Sequence, residues 1–109
     1  AVYPFLLLRP NLTVVCAHWG GGLPFYALMP EVARALERTY FDTSASPFLY
    51  RPQIYSHAIQ MVGEAKVLFG SDFPLMPQHR PLSEIRSLSL PQRVEHLVLG
   101  GNATKLLGL

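Results

Sequence analysis

An α/β fold built on a parallel sheet is what this 109-residue sequence predicts, on three observations. Three short apolar segments, "LTVVCAH" (Leu12–His18), "TYFDTSA" (Thr39–Ala45) and "KVLFGSD" (Lys66–Asp72), begin about 27 residues apart and are bounded by Gly or Pro or by polar residues. Stretches of helical periodicity lie between them, and strands alternating with helices imply βαβ units. Each apolar segment also ends on polar or small residues: His18 with three glycines, Ser44 to Ser46, and Ser71-Asp72. In parallel α/β architectures chemistry collects at the carboxyl ends of the strands.

In "PFYALMPEVARALER" (Pro24–Arg38), Leu28, Val32, Ala35 and Leu36 recur at helical spacing. Pro30 interrupts that pattern, so a turn or short helix precedes it and a regular helix comes after, with Pro30 in the first turn. In "RPQIYSHAIQMVG" the residues Ile54, His57, Ala58 and Met61 fall on one helical face, and Gly63 fits a C-cap. "PLSEIRSL", "LPQRVEHLVLG" and "NATKLLGL" are three further helical pieces, each opened near Pro or Asn. No linker is long enough to divide the chain, so residues 1–109 form one unit.

Composition excludes several classes of function. Half of the residues are hydrophobic and 15% are charged, a net charge of +2 with the four histidines neutral. The nine Lys and Arg are scattered, which argues against nucleic acid. The apolar runs break well short of the roughly 18 residues of a membrane span. The first ten residues lack the basic start and small-residue cleavage site of a signal peptide. A single cysteine, Cys16, excludes an internal disulfide and fits a reducing, cytoplasmic compartment.

Two residues carry most of the chemistry. His18 ends the first strand and precedes Trp19 and Gly20–Gly22. It reads either as a core histidine bonded to a loop carbonyl or as an acid/base group or metal ligand. Asp72 ends the third strand, where a buried, unpaired carboxylate would cost several kcal/mol. It reads either as a helix N-cap, with Pro74 near the first helical position, or as a divalent-metal ligand or base. Asp42, inside the second strand, reads as a structural carboxylate bonded to neighbouring backbone or to Arg. Cys16 reads as a packing residue. His57 and His96 read as surface or packing residues, and His79 as the other histidine near the mouth. The glycine loop is not a dinucleotide fingerprint, and no serine-hydrolase elbow, C-x-x-C, H-E-x-x-H or P-loop is present.

Taken together, "VVCAHWGGGLPF", "YFDTSAS", "VLFGSDFP" and "GGNATKLLGL" resemble the C-terminal part of the amidohydrolase-related family, the metal-dependent TIM-barrel hydrolases and decarboxylases. The resemblance implies that the three strands are the sixth to eighth of a (β/α)8 barrel. It places the family's strand-eight aspartate, a metal ligand that also accepts a proton, on Asp72. It places the strand-six histidine, an acid/base or polarising group, on His18. Trp19, Gly20, Gly21 and Gly22 would then shape a pocket for a small-molecule substrate. The implied cofactor is a divalent metal: zinc first, with manganese or iron as alternatives. The implied reaction is hydrolysis of a C–N or C–O bond, or decarboxylation of a small, often aromatic, acid.

The family's early-strand H-x-H or E-x-H and its strand-five histidine have no counterpart in this sequence. A whole barrel needs roughly 250 residues. The resemblance therefore implies a C-terminal portion that is inactive alone and is completed by the rest of the barrel or by a homo-oligomer. The alternative from another class is a non-catalytic α/β module acting through assembly with another chain. A weaker third is a flavodoxin-like binding domain.

Overall fold

The computed structural model describes residues 2–71, 73–74 and 77–109. Its centre is a three-stranded parallel sheet in the order β1-β2-β3, with β1 at Val14–Cys16, β2 at Thr39–Asp42 and β3 at Val67–Leu68. Cys16 lies opposite Phe41, Phe41 opposite Val67, and Asp42 opposite Leu68. Helix α1 (Val2–Leu8) precedes β1, and α2 (Pro30–Ala35) joins β1 to β2. Helices α3 (Ser46–Leu49) and α4 (Gln53–Val62) join β2 to β3. After β3 come α5 (His79–Ser87) and α6 (Gln92–His96), which runs through a π-helical turn at Leu97–Gly101 into α7 (Asn102–Leu107).

The strand order advances without reversal. A flavodoxin-like sheet would place its first strand between the second and third, so the third reading of the sequence does not fit. Successive parallel neighbours are what a segment of a (β/α)8 barrel requires.

Period-two alternation gives the sheet two unlike faces. Cys16, Thr39, Phe41 and Val67 are buried. Of these, Cys16, Phe41 and Val67 join Val32, Leu36, Ile54, Tyr55, Ala58, Ile85, Val94 and Val98 in one core. Between them on the strands, Val15 is 47% exposed, and Tyr40 and Asp42 are half-buried. A groove of about 490 Å³, lined in part by Val2, Phe5, Val15 and Gly20, runs beside β1.

The strands are shorter than the apolar segments predict, because polar side chains replace the ladder at each end. Lys66 belongs to a 3-10 turn (Glu64–Lys66) rather than to β3. Its ammonium donates to the carbonyls of Leu36 at 2.9 Å, Thr39 at 3.3 Å and Glu37, and it stands 5.2 Å from the centre of the Tyr40 ring. One cation thus closes the end of α2 onto the start of β2, at carbonyls that face the negative end of the helix. Burial lowers the pKa of this ammonium, with Glu37 acting in the opposite sense.

Pro30 opens α2 and a 3-10 turn at Leu23–Tyr26 precedes it, as the sequence predicts. Gly63 ends α4 with positive φ and donates its N–H to the Ile59 carbonyl. The phase of α4 departs from expectation. Ile54, Tyr55 and Ala58 are buried, whereas His57 is exposed and Met61 only half-buried. A stripe drawn at i, i+3, i+4 and i+7 admits either neighbour of Ile54, and the aromatic Tyr55 brings far more area to bury than an imidazole.

The outer edge of β3 is closed by the chain's own C-terminal part. Asn102, 4% exposed, donates through Nδ2 to the carbonyls of Glu64 at 2.6 Å and Val67 at 2.9 Å. The Phe69 amide donates to the Val98 carbonyl at 3.0 Å. Replacing Asn102 with Ala takes a donor away from two carbonyls. An unsatisfied buried polar group costs about 1–3 kcal/mol, so Asn102→Ala should lower the urea midpoint by a corresponding amount. An unchanged midpoint would mean that water replaces the amide at no cost.

Candidate functional site

The carboxyl end of the sheet is built around the turn that comes after β1. From His18 to Gly22 five successive residues have positive φ: 52° at His18, 58° at Trp19, 60° at Gly20, 69° at Gly21 and 94° at Gly22. Glycine takes such angles freely, but His and Trp do so at a cost of roughly 1–2 kcal/mol each. Two anchors hold them there. The Trp19 ring is wholly buried, stands edge-on to Tyr55 at 5.9 Å between centroids, and donates its indole N–H to Ser46 Oγ at 2.8 Å. Ser46 in turn donates to the Thr43 carbonyl. The second anchor is the His18 amide, which donates to Ser44 Oγ at 3.2 Å and Asp42 Oδ1 at 3.3 Å.

Asp42 is the hub of this arrangement. Its Oδ1 also accepts the Ser44 amide at 2.9 Å and the Ser44 hydroxyl. The next residue, Thr43, reaches the other way. Its hydroxyl donates to the Gly70 carbonyl and accepts the Gly70 amide, both at 3.0 Å. The tripeptide Asp42-Thr43-Ser44 therefore binds the exits of both neighbouring strands. Behind it, burial pushes the Cys16 thiol up, and the Asp42 carboxylate adds to the rise. Cys16 is an unreactive packing residue on this showing.

His18, the first residue singled out in the sequence, is exposed at the carboxyl end of β1. Trp19 bears on a pocket only through the shape of its turn, because its ring is inaccessible. Gly21 is exposed, while Gly20 is packed against Cys16 and Phe41. Asp72 lies outside the described residues. His57, His79 and His96 are exposed on α4, α5 and α6. The roles of Ser44 and Thr43 carry no sequence signal beyond small polar residues after a strand carboxylate.

Among the described residues no three His, Cys, Asp or Glu side chains converge to hold a metal ion. Asp42 directs Oδ1 at hydrogen-bond donors, and His18 is the one imidazole described on this edge. The described donors by themselves do not make a metal centre. Among the same residues no helix is long and apolar enough to cross a membrane.

Comparison with known proteins places these features in context. A family model described as amidohydrolase matches residues 1–109. The chain is 28% identical to a 6-methylsalicylic acid decarboxylase of Penicillium expansum, over 89% of this chain and 35% of that protein. The crystal structure of 5-carboxyvanillate decarboxylase from Sphingomonas paucimobilis superposes with a TM-score of 0.80 at 20% identity, covering 98% of this chain and 37% of that one. A dihydroxybenzoic acid decarboxylase from a Polaromonas species, solved with manganese and the inhibitor 2-nitroresorcinol, gives 0.79 at 20% identity, with 98% and 37% covered. The chain thus spans a little over a third of the length of these relatives.

The turn and its anchors lead to two expectations. A Cβ at Gly20 would lie 3.1 Å from Cys16 Cβ and 3.3 Å from the Phe41 ring, whereas one at Gly21 would meet nothing within 4 Å. Gly21→Ala should therefore cost only the left-handed backbone, about 1–2 kcal/mol. Gly20→Ala should cost a further 1–3 kcal/mol or so for overpacking. Denaturant titration of the two variants side by side tests the ordering.

The second concerns Tyr55, whose buried hydroxyl has no hydrogen-bond partner among the described residues. Burial pushes this phenol up to about 12, the Ser46 hydroxyl pulling it back and the Glu84 carboxylate adding to the rise. The folded state holds the proton more tightly than the unfolded chain, whose tyrosines titrate near 10. The associated stability is complete below about pH 10 and is lost as pH climbs towards the folded-state value. Tyr55→Phe should flatten that alkaline decline and be nearly neutral at pH 7, as read from denaturation midpoints across the range.

Proposed function

This chain belongs to the amidohydrolase family, and on that premise we propose that it is the C-terminal part of a barrel enzyme that decarboxylates a small, ortho-hydroxylated aromatic acid. The observation that carries the reading is the placement of His18. It is an exposed imidazole at the carboxyl end of a parallel strand, on a turn of left-handed residues fixed by buried anchors. Backbone strain of this kind persists where the surroundings over-determine it, and it gathers at functional sites. The decarboxylases among the relatives supply the substrate class: a methylsalicylic acid, a carboxyvanillate and a dihydroxybenzoic acid.

In this reading His18 is the proton donor. A ring nitrogen of an imidazole can carry a proton and release it, as general acid catalysis requires. The proton goes to the ring carbon that bears the carboxylate. The C–C bond then breaks, its electron pair returns to the ring, and carbon dioxide leaves. Gly21 and Gly22 keep the turn free of side chains beside the imidazole. A divalent metal belongs to the same proposal, zinc in the first instance or manganese as in the Polaromonas relative, with Asp72 as this chain's ligand and the remaining ligands on strands outside it. The single, buried Cys16 supports work in a reducing, cytoplasmic setting.

The test uses the complete polypeptide that contains these residues. Incubated with divalent metal and 2-hydroxybenzoates, it should release carbon dioxide. His18→Gln should lower kcat by about a hundredfold or more, within the range that general acid catalysis supplies. Asp72→Asn should lower metal content measured by elemental analysis. Hydrolysis of an amide or lactone without any decarboxylation would move the assignment to the hydrolytic branch. Full activity in His18→Gln would remove His18 from the chemistry.

A further inference from the structure

The polar tripeptide Asp42-Thr43-Ser44 points beyond His18 itself. We infer that Asp42, acting with Ser44, is the positioning residue that sets the His18 imidazole at the carboxyl edge of the sheet. The inference rests on the reading of His18 as the acid/base group.

The geometry has three parts. First, a single carboxylate oxygen gathers three donors: the amides of His18 and Ser44 and the hydroxyl of Ser44. Hydrogen bonds to an ionised acceptor are about twice as strong as neutral ones, and three on one oxygen fix its position against both strands. Second, the His18 amide is shared between Asp42 Oδ1 and Ser44 Oγ. Neither bond is short, but the donor has two acceptors on one side and lies within a residue of the catalytic side chain. A His18 turn that rotated out of the left-handed region would lose both. Third, the strand beyond is held by the same tripeptide. Thr43 clasps the amide and carbonyl of Gly70, and Gly70 leads through Ser71 to Asp72 in the sequence. Both residues assigned to the chemistry therefore come after backbone that is fixed to one three-residue segment of β2 and its exit.

The bland alternative is that Asp42 merely closes the end of β2. A carboxylate serving only its own strand would accept its own Ser44 amide, as in an ordinary Asx turn. The reach across to His18, 24 residues away in the chain, is what that role leaves unexplained.

The experiment is a double-mutant cycle in the complete polypeptide, with amide hydrogen exchange beside it. Asp42→Ala should lower kcat ten- to a hundredfold with KM little changed, the scale on which misplacing a catalytic group is felt. Asp42→Asn, which keeps an oxygen where Oδ1 stands, should recover most of that loss. In a His18→Gln background Asp42→Ala should lower kcat no further, because its effect passes through His18. An equal loss in both backgrounds would overturn the inference, since Asp42 would then act independently of His18.

Should Asp42→Ala not fold, Ser44→Ala removes one of the two acceptors of the His18 amide and enters the same cycle with a smaller expected loss. Failure of the functional reading gives a different pattern: no decarboxylation by the unmutated enzyme. In that case the His18 amide exchange still decides the positioning role. Exchange at least tenfold faster in Asp42→Ala or Ser44→Ala than in the parent supports it, and unchanged exchange overturns it.

Discussion

The constraint on which the rest of the site depends is the carboxylate of Asp42, placed at the end of the central strand with a strand on either side. A parallel sheet leaves its strand ends without the tight turns that fix an antiparallel hairpin. Each exit must be held by something else. Here the central strand supplies it: Asp42 and Ser44 reach to the β1 side, Thr43 to the β3 side. Asp42 and Ser44 serve the β1 exit and Thr43 the Gly70 backbone, so three successive residues grip both neighbours.

The two edges of the sheet are unlike, and the difference bears on assembly. On β3 the outward backbone groups are met by Asn102 and by the Val98 carbonyl. On β1 the Val14 amide turns inward to the Arg38 carbonyl, so by alternation the groups of Val15 face outward. The side chain of Val15 stands half exposed, with Phe5 and Val2 beside it. An open parallel edge with apolar neighbours is a pairing surface that soluble proteins cover. A barrel that continues on that side would cover it, which agrees with a chain spanning just over a third of its relatives.

How much of this could be read from the sequence depends on the kind of signal. The three strands and their parallel pairing were legible because Val, Phe and Leu concentrate in short runs bounded by breakers, and that pattern survives folding unchanged. Pro30 and Gly63 were legible because each has a backbone demand that one residue type meets. The face of α4 was not, since the spacing of Ile54 and Ala58 leaves Tyr55 and His57 equally placed and only area burial separates them. Trp19 beside three glycines suggests a pocket wall. The ring instead turns inward to Ser46 and Tyr55, a choice made by a tertiary partner 27 residues away. Asp42 was legible as a carboxylate bonded to backbone, but its partner across the sheet was not, because the amide of His18 carries no mark in the sequence.

The burial of Trp19 also explains how the turn at His18 can exist. Holding His18 and Trp19 with positive φ costs roughly 2–4 kcal/mol together. Fully burying a large aromatic side chain contributes on the order of 3 kcal/mol, and the indole hydrogen bond to Ser46 about one more. The two sides are of the same size, so the strained turn needs its aromatic anchor and has little stability to spare beyond it. The side chain that does the anchoring points into the core, and the one beside it is exposed. The left-handed turn carries that division, with one residue fastened to the interior and its neighbour presented at the carboxyl edge. The strain is then the means by which a buried tryptophan orients a surface histidine. It also accounts for glycine at the next three positions, where further side chains would add strain without adding an anchor.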